Sequence, residues 1–253
     1  MKTFQVLIIA LFFFLTGPSF SVGETAPKQN PLPDLLSDES GGDTFDKEPL
    51  LSIRDPLEPV NRLFFEFNDI VYDWALKPVT DGYIWLLPLE LRKSFGNFFF
   101  NLSSPIRFLN TLLQGDLGAS GVVLERFLIN STMGVWGLVD IAFLEFDIPP
   151  QRADFAQTLG KWGVGEGIYI CWPLIGPSTA RDTVGLVVDA YTHPIPYIHD
   201  DLTLDIGYYL SYQINTLSLN PDIYEDLRKY SLDPYVAARQ AYYEYRKAFV
   251  ERE

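Results

Sequence analysis

The sequence predicts an all-α domain. Three observations carry that expectation. Apolar residues recur at spacings of three and four in several segments, no stretch has the rhythm of alternating strands or of βαβ units, and the most apolar stretches are cut short by Gly, Pro and Asn.

The first elements lie outside that domain. Met1-Lys2, the apolar run Val6 to Leu15 and the small residues Ser19-Phe20-Ser21 have the pattern of an export signal over residues 1–21. Pro18 stands where a lipid-modified cysteine would follow Leu15-Thr16-Gly17, so no thiol is available there for acylation. Residues 22–54 are rich in Pro, Asp, Glu, Gly and Ser; they bury too little to offset the entropy of ordering and are expected to form a flexible acidic linker. The helical domain is expected over 55–253.

Its first helix is clear in the pattern. Val60, Leu63, Phe64, Phe67, Ile70, Val71 and Trp74 form one stripe and Arg62, Glu66, Asp69 and Asp73 another, with Pro59 suited to the first helical position and Pro78 expected to mark the end. Such an aromatic face serves either as core or as a surface lying in a membrane interface. Ile84 to Phe146 is apolar and interrupted. Its longest uncharged run, Phe127 to Val139, would span about 20 Å as helix against about 30 Å of hydrocarbon, too short to cross. Helices of that kind are either buried in a soluble core or half-immersed in one leaflet. Further helices are expected over Ala180 to Tyr191, Asp200 to Leu219, and from Asp233-Pro234 to the C-terminus, with a short extended piece near Ile168 to Trp172.

Composition excludes several functions. A net charge of −14 opposes nucleic-acid binding and polybasic docking on anionic lipid. One cysteine, Cys171, and two histidines, His193 and His199, scarcely supply a zinc site, and no metal or cofactor is expected. The glycine-rich GKWGVGEGIYICWP lacks the Ser or Thr of a phosphate loop, and its prolines forbid the helix that a dinucleotide fingerprint needs. There is no G-x-S-x-G elbow, which leaves a periplasmic lipase or esterase built on His193 or His199 as an alternative with no motif behind it.

Several motifs in one order carry a resemblance. They are Asp55-Pro56, Glu58, Asn61-Arg62 and Phe67-Asn68; then Asn97-Phe98, Asn101-Leu102 and Leu113-Gln114-Gly115-Asp116; then Arg126-Phe127, Asn130, Gly134, Gly137 and Asp140. Thr158-Leu159-Gly160, Gly163-Val164-Gly165, Gly167, Arg181-Asp182 and Asp233-Pro234-Tyr235 follow, with Pro78, Pro105, Phe155, Tyr169, Pro173, Gly176, Ser178 and Arg239 at their places between and after them. With these the chain resembles the MlaA (VacJ) family of outer-membrane lipoproteins. The resemblance implies a ring-like bundle partly embedded in one leaflet of the outer membrane, with a polar passage for the headgroup of mislocalised phospholipid. It implies no catalysis, and as partners a phospholipid, a trimeric porin and the periplasmic carrier MlaC. A structural, porin-adhering envelope protein is the other alternative.

On that reading Arg181, Asp182 and Asp189 are candidates for the passage, since i to i+7 spacing keeps Asp182 and Asp189 on one helical face. Phe64, Phe67, Phe98, Phe127 and Trp136 are candidates for the membrane face. Phe67-Asn68 and Gly163, Gly165 and Gly167 are candidate mobile elements, with Gly165→Val expected to impair lipid traffic.

Overall fold

The computed structural model describes residues 55–198 and 201–251. The export signal, the acidic linker and His199 lie outside the described residues.

Helix α1 (Glu58–Val71) carries Pro59 in its first turn, where its missing N–H costs no hydrogen bond. Its apolar stripe faces outward. Val60, Leu63, Phe67 and Ile70 are exposed, while Asn61 and Phe65 are buried. Pro78 does not end this helix, contrary to expectation. The backbone widens into a π-helical turn (Tyr72–Leu76), in which the Lys77 N–H reaches back to Tyr72 O, and α2 (Lys77–Leu86) continues with Pro78 inside its first turn, a position that tolerates proline.

The expected extended piece is strand β1 (Tyr169–Trp172). It pairs antiparallel with β2 (Gly176–Thr179) in the register Tyr169↔Thr179 to Trp172↔Gly176. The free edge of β1 is covered by side chains of α1. Asn61 donates to Tyr169 O at 3.2 Å and accepts from Cys171 N at 2.8 Å, and seven residues on Asn68 donates to Trp172 O at 2.9 Å. Two asparagine amides thus do what a neighbouring strand would do, which blunts an edge open to other chains. The core gathers here: Phe65, Tyr169, Cys171, Tyr235, Ala238 and Tyr242 form one buried cluster, with Phe65 and Tyr235 edge to face at 5.7 Å.

Helices α3 (Leu89–Leu102), α4 (Ser104–Leu113), α5 (Leu117–Thr132) and α6 (Ile141–Leu144) build the apolar middle of the chain. Helix α7 (Phe155–Lys161) packs on α8 (Ala180–Thr192) at Gly185, where a Cβ would sit 2.4 Å from Ala156 N. After α9 (Ile195–Ile198), α10 (Leu202–Leu219) lies against α2 and α3. Helix α11 (Asp222–Tyr230) has no counterpart in the expectation; it turns Tyr224 and Leu227 inward, Tyr224 against Tyr72 at 4.4 Å and Leu227 on the core cluster, and is tied down by Arg228 to Asp73 at 2.9 Å and by Lys77 to Glu225. Helix α12 (Pro234–Val250) starts as expected, with the Asp233 carboxylate accepting from Val236 N at 3.2 Å.

Candidate functional site

Soluble domains bury apolar side chains and expose polar ones. In α3 to α6 much of that order is reversed, although Phe99, Ile106, Val123 and Ala142 are buried and Glu90, Lys93 and Glu125 exposed in the usual way. Leu91, Phe95, Leu112, Leu117, Leu124 and Leu128 are exposed, while Arg92, Asn101, Arg107, Asn110, Arg126 and Asn130 are buried. Helix α5 displays the pattern cleanly: Ser120, Val123, Arg126 and Asn130 recur on the inner face at helical spacing, and Leu117, Leu124 and Leu128 recur on the outer one. Trp85 just before this belt is 86% exposed and Trp136 within it is 76% exposed, far beyond what packing on this chain accounts for.

Much of the polar interior is hydrogen-bonded, with the Arg107 Nε–H among the exceptions. Arg126 forks onto Asp140 at 2.8 and 2.6 Å, and Asn130 both donates to Asp140 at 2.8 Å and accepts from Ala142 N at 2.9 Å. From α4, Asn110 accepts from Thr158 Oγ1 at 2.9 Å and donates to Asp189 at 3.0 Å. One polar chain therefore links α4, α7 and α8 through the middle of the molecule. Fully satisfied networks of this kind fix helix positions at the cost of few alternatives.

Beyond α5 the chain makes an apolar turn. Met133, Val135 and Trp136 point outward, and Val135 and Trp136 hold left-handed φ values of 52° and 60°. A β-branched residue there stores roughly 1–3 kcal/mol of strain. Two glycines hold the turn against its neighbours. A Cβ on Gly134 would meet Val139 O at 2.2 Å, and one on Gly137, at φ 90°, would meet the Asn101 side chain at 2.5 Å. The belt thus ends in a rigid apolar tip, continued by Phe143, Leu144 and Phe146, all exposed.

The MlaA lipoprotein family model matches residues 53–249, nearly the whole described domain. The chain belongs to the MlaA lipoprotein family. MlaA of Haemophilus influenzae, an intermembrane phospholipid transport system lipoprotein, is 33% identical over 195 residues, 75% of this chain and 76% of its own length. The MlaA of Escherichia coli K12 is 32% identical over 194 residues, at 75% and 76% coverage. A solved structure from work on the structural basis for maintenance of bacterial outer membrane lipid asymmetry superposes with a TM-score of 0.69 at 30% identity, covering 78% of this chain and 100% of that one.

Within this MlaA-family chain the residues singled out from sequence fall in three places. Arg181, Asp182 and Asp189 all project inward from α8. Arg181 binds Asp182 at 3.1 Å, Arg246 of α12 reaches Asp182 at 3.1 Å and Asp154 at 2.7 Å, and the Tyr242 hydroxyl also donates to Asp182. Asp182 and Asp189 have different neighbours. Asp182 is closed into this ion-pair lattice, whereas Asp189 accepts only from neutral donors, Asn110 and Phe155 N at 3.0 Å each. Burial and the adjacent Asp154 charge push the Asp189 carboxyl up to about 7, while Asp154 is held low because Arg246 outweighs its own burial.

Of the aromatic candidates, Phe67 and Trp136 are exposed, Phe98 and Phe127 are half-buried, and Phe64 packs against the α1–β1–α12 core. Asn68 fastens α1 to the hairpin, accepting from Leu174 N at 2.5 Å. Gly163 and Gly167 have φ of 86° and 75°. At Gly165 a Cβ would meet nothing within 4 Å; a valine would be strained by φ at Gly163 and Gly167, and at Gly167 its Cβ would also lie 2.9 Å from Ala180 Cβ. Sequence reasoning missed Arg107 and Asn110; the available signal was two polar residues three positions apart inside an otherwise apolar segment.

Proposed function

We propose that this chain works in intermembrane phospholipid transport, maintaining outer-membrane lipid asymmetry by taking mislocalised phospholipid from the outer leaflet. The observation that carries this reading is the inverted belt of α3 to α6. An apolar exterior of this extent is stable only against hydrocarbon or another protein, and a net charge of −14 gives no attraction to anionic lipid, so attachment rests on apolar contact. No helix of the described residues is long and apolar enough to cross a membrane. Helix α4, with 10 residues, is about 15 Å long, the depth of one leaflet. The belt then lies in the periplasmic leaflet with its polar interior facing the lipid to be moved.

The physical task fits those parts. A charged headgroup dragged through hydrocarbon is costly, and aligned amide, hydroxyl and guanidinium groups lower that cost while the acyl tails stay in lipid. Transport needs no bond to be made or broken, so the chain has no catalytic role in this reading. Docking beside a trimeric porin and release to the periplasmic carrier MlaC complete it. The test is mass spectrometry of lipids on protein purified in mild detergent from membranes. Stoichiometric phospholipid supports the reading; lipid-free protein recovered only from the soluble fraction defeats it.

A further inference from the structure

A cavity of about 90 Å³ lies where the π-helical turn, α2, the end of α10 and the start of α11 meet. It has room for about three waters. None of its lining residues belongs to the belt. The π-helical turn shapes one wall: the widened backbone brings Tyr72 and Lys77, joined by the bond from Lys77 N to Tyr72 O, to the same cavity, and turns of this kind recur at functional sites.

Two independent features of the wall point to a ligand. The first is charge. Asp81, Asp222 and Glu225 line the cavity against a single cation, Lys77. Lys77 is spent on Glu225 and lies 3.9 Å from Asp81, while Asp222 forms no hydrogen bond or ion pair among the described residues. Asn220, the cap at the negative end of α10, adds to the same sign. The dipole of α11 favours acid at Asp222 and Glu225 in its first turn, but it accounts neither for Asp81 nor for the second feature. That feature is Thr80, which is only 5% exposed and whose Oγ1 is buried with no hydrogen-bond partner. A helical threonine ordinarily relieves its hydroxyl by donating to the carbonyl one turn back, as Thr132, Thr192 and Thr216 do in this chain at 2.7, 2.9 and 2.8 Å. Thr80 does not, and its hydroxyl lines the cavity.

Excess carboxylate calls for a cation, and an orphaned oxygen beside it calls for a cation that carries N–H groups. A primary ammonium has three such donors, whereas a quaternary one has none. Among the described residues no group of His, Cys, Asp and Glu is arranged to hold a metal ion. We propose that this cavity binds the primary ammonium group of a small amine, with Asp81 and Asp222 balancing its charge and Thr80 Oγ1 accepting one of its N–H groups. The site does not rest on the transport reading.

The experiment is isothermal titration of the full chain, in a non-ionic detergent, with ethylammonium, ethanol and tetramethylammonium. Ethylammonium is expected to bind roughly tenfold or more tightly than either of the others, which lack the charge and the N–H donors respectively. Asp81 and Asp222 are exposed, so the double variant Asp81→Asn with Asp222→Asn should fold and bind ethylammonium roughly tenfold or more weakly. Thr80→Val keeps the shape and removes the orphaned hydroxyl; it should weaken binding roughly threefold or more without lowering the thermal midpoint, and Thr80→Ser should restore wild-type affinity. Dihexanoylphosphatidylethanolamine that displaces ethylammonium supports the site with a lipid headgroup as the source of the amine, and ethylammonium binding that the phospholipid leaves untouched supports it with a free amine. Wild type that does not bind ethylammonium, or that binds tetramethylammonium as tightly, overturns the proposal. Weakening in the acidic double variant but not in Thr80→Val is diffuse surface attraction and overturns the cavity site, as does unchanged affinity in both.

Discussion

Replacing Trp136 by alanine removes the largest exposed side chain of the apolar tip, and its effect on membrane binding follows from area. Trp136 is 76% exposed. Of roughly 200 Å² for a tryptophan side chain, about 150 Å² would leave water on insertion, or about 3.8 kcal/mol at ~25 cal/mol per Å². An alanine recovers part of that and the interface is only partly dry, so a loss of about 2 kcal/mol is expected, or roughly thirty-fold in partition coefficient. The assay is flotation with phosphatidylethanolamine–phosphatidylglycerol vesicles over a range of lipid concentrations. Tyr230→Ala is the control, because Tyr230 is 74% exposed on α11, whose other exposed residues include Asp222, Glu225, Asp226 and Lys229. Equal losses for both variants, or no loss for Trp136→Ala, would refute the assignment of the tip to the membrane.

Other consequences concern stability and salt. Arg246→Met strips the cation from both Asp154 and Asp182 and should destabilise the domain by about 3–5 kcal/mol in denaturant titration. Gly167→Val should lower the thermal midpoint, by roughly 1–3 kcal/mol of strain at φ 75°, whereas Gly165→Val should stay within about 0.5 kcal/mol of wild type. The Asp189 carboxyl is raised from 3.8 to about 7, so the folded state holds a proton that the unfolded chain has released, and this group's contribution to stability falls as pH rises from about 4 to 7. Urea midpoints of wild type relative to Asp189→Asn should therefore decline over that window and level off above it; a parallel pair of curves contradicts the raised value. Raising salt to about 0.5 M should leave vesicle binding unchanged, since exposed charge attraction is screened there and apolar contact is not.

How far the fold was legible depended on whether the deciding signal was local. Asp233-Pro234 and Thr179 announce helix starts through their own side chains, and the boundaries of α8, α10 and α12 follow the pattern closely. Periodicity also marks α1 as amphipathic, but it fixes only that two faces differ and not which one turns inward, and within the apolar stretch that became α5 the two faces were not read at all. That sign is set by long-range partners such as Asp140 for Arg126 and Tyr169 O for Asn61. Pro78 was misleading because it falls in the first turn of α2, which follows a π-helical turn without a break, and α11 was missed although Ile223, Tyr224, Leu227 and Tyr230 repeat at helical spacing within its nine residues. The apolar tip was hidden for another reason. Valine and tryptophan in the left-handed region contradict local preference, and only Gly134 and Gly137 beside them hint at the turn. In the same way, Arg107 is an ordinary helical arginine in sequence, and its lack of a carboxylate is a property of the packed belt.

The measurement that tests the account most directly is the depth of the belt in a bilayer. Cys171 is the only cysteine and is buried, so a nitroxide placed on Leu128→Cys would report from the outer face of α5 alone, with Lys229→Cys as the reference on α11. In vesicles the account predicts that the label at 128 is relaxed by oxygen and shielded from a water-soluble nickel complex, at a depth of no more than about 15 Å, while the label at 229 is open to nickel. Equal nickel access at the two positions would contradict an embedded belt, and with it the route by which this chain meets its lipid.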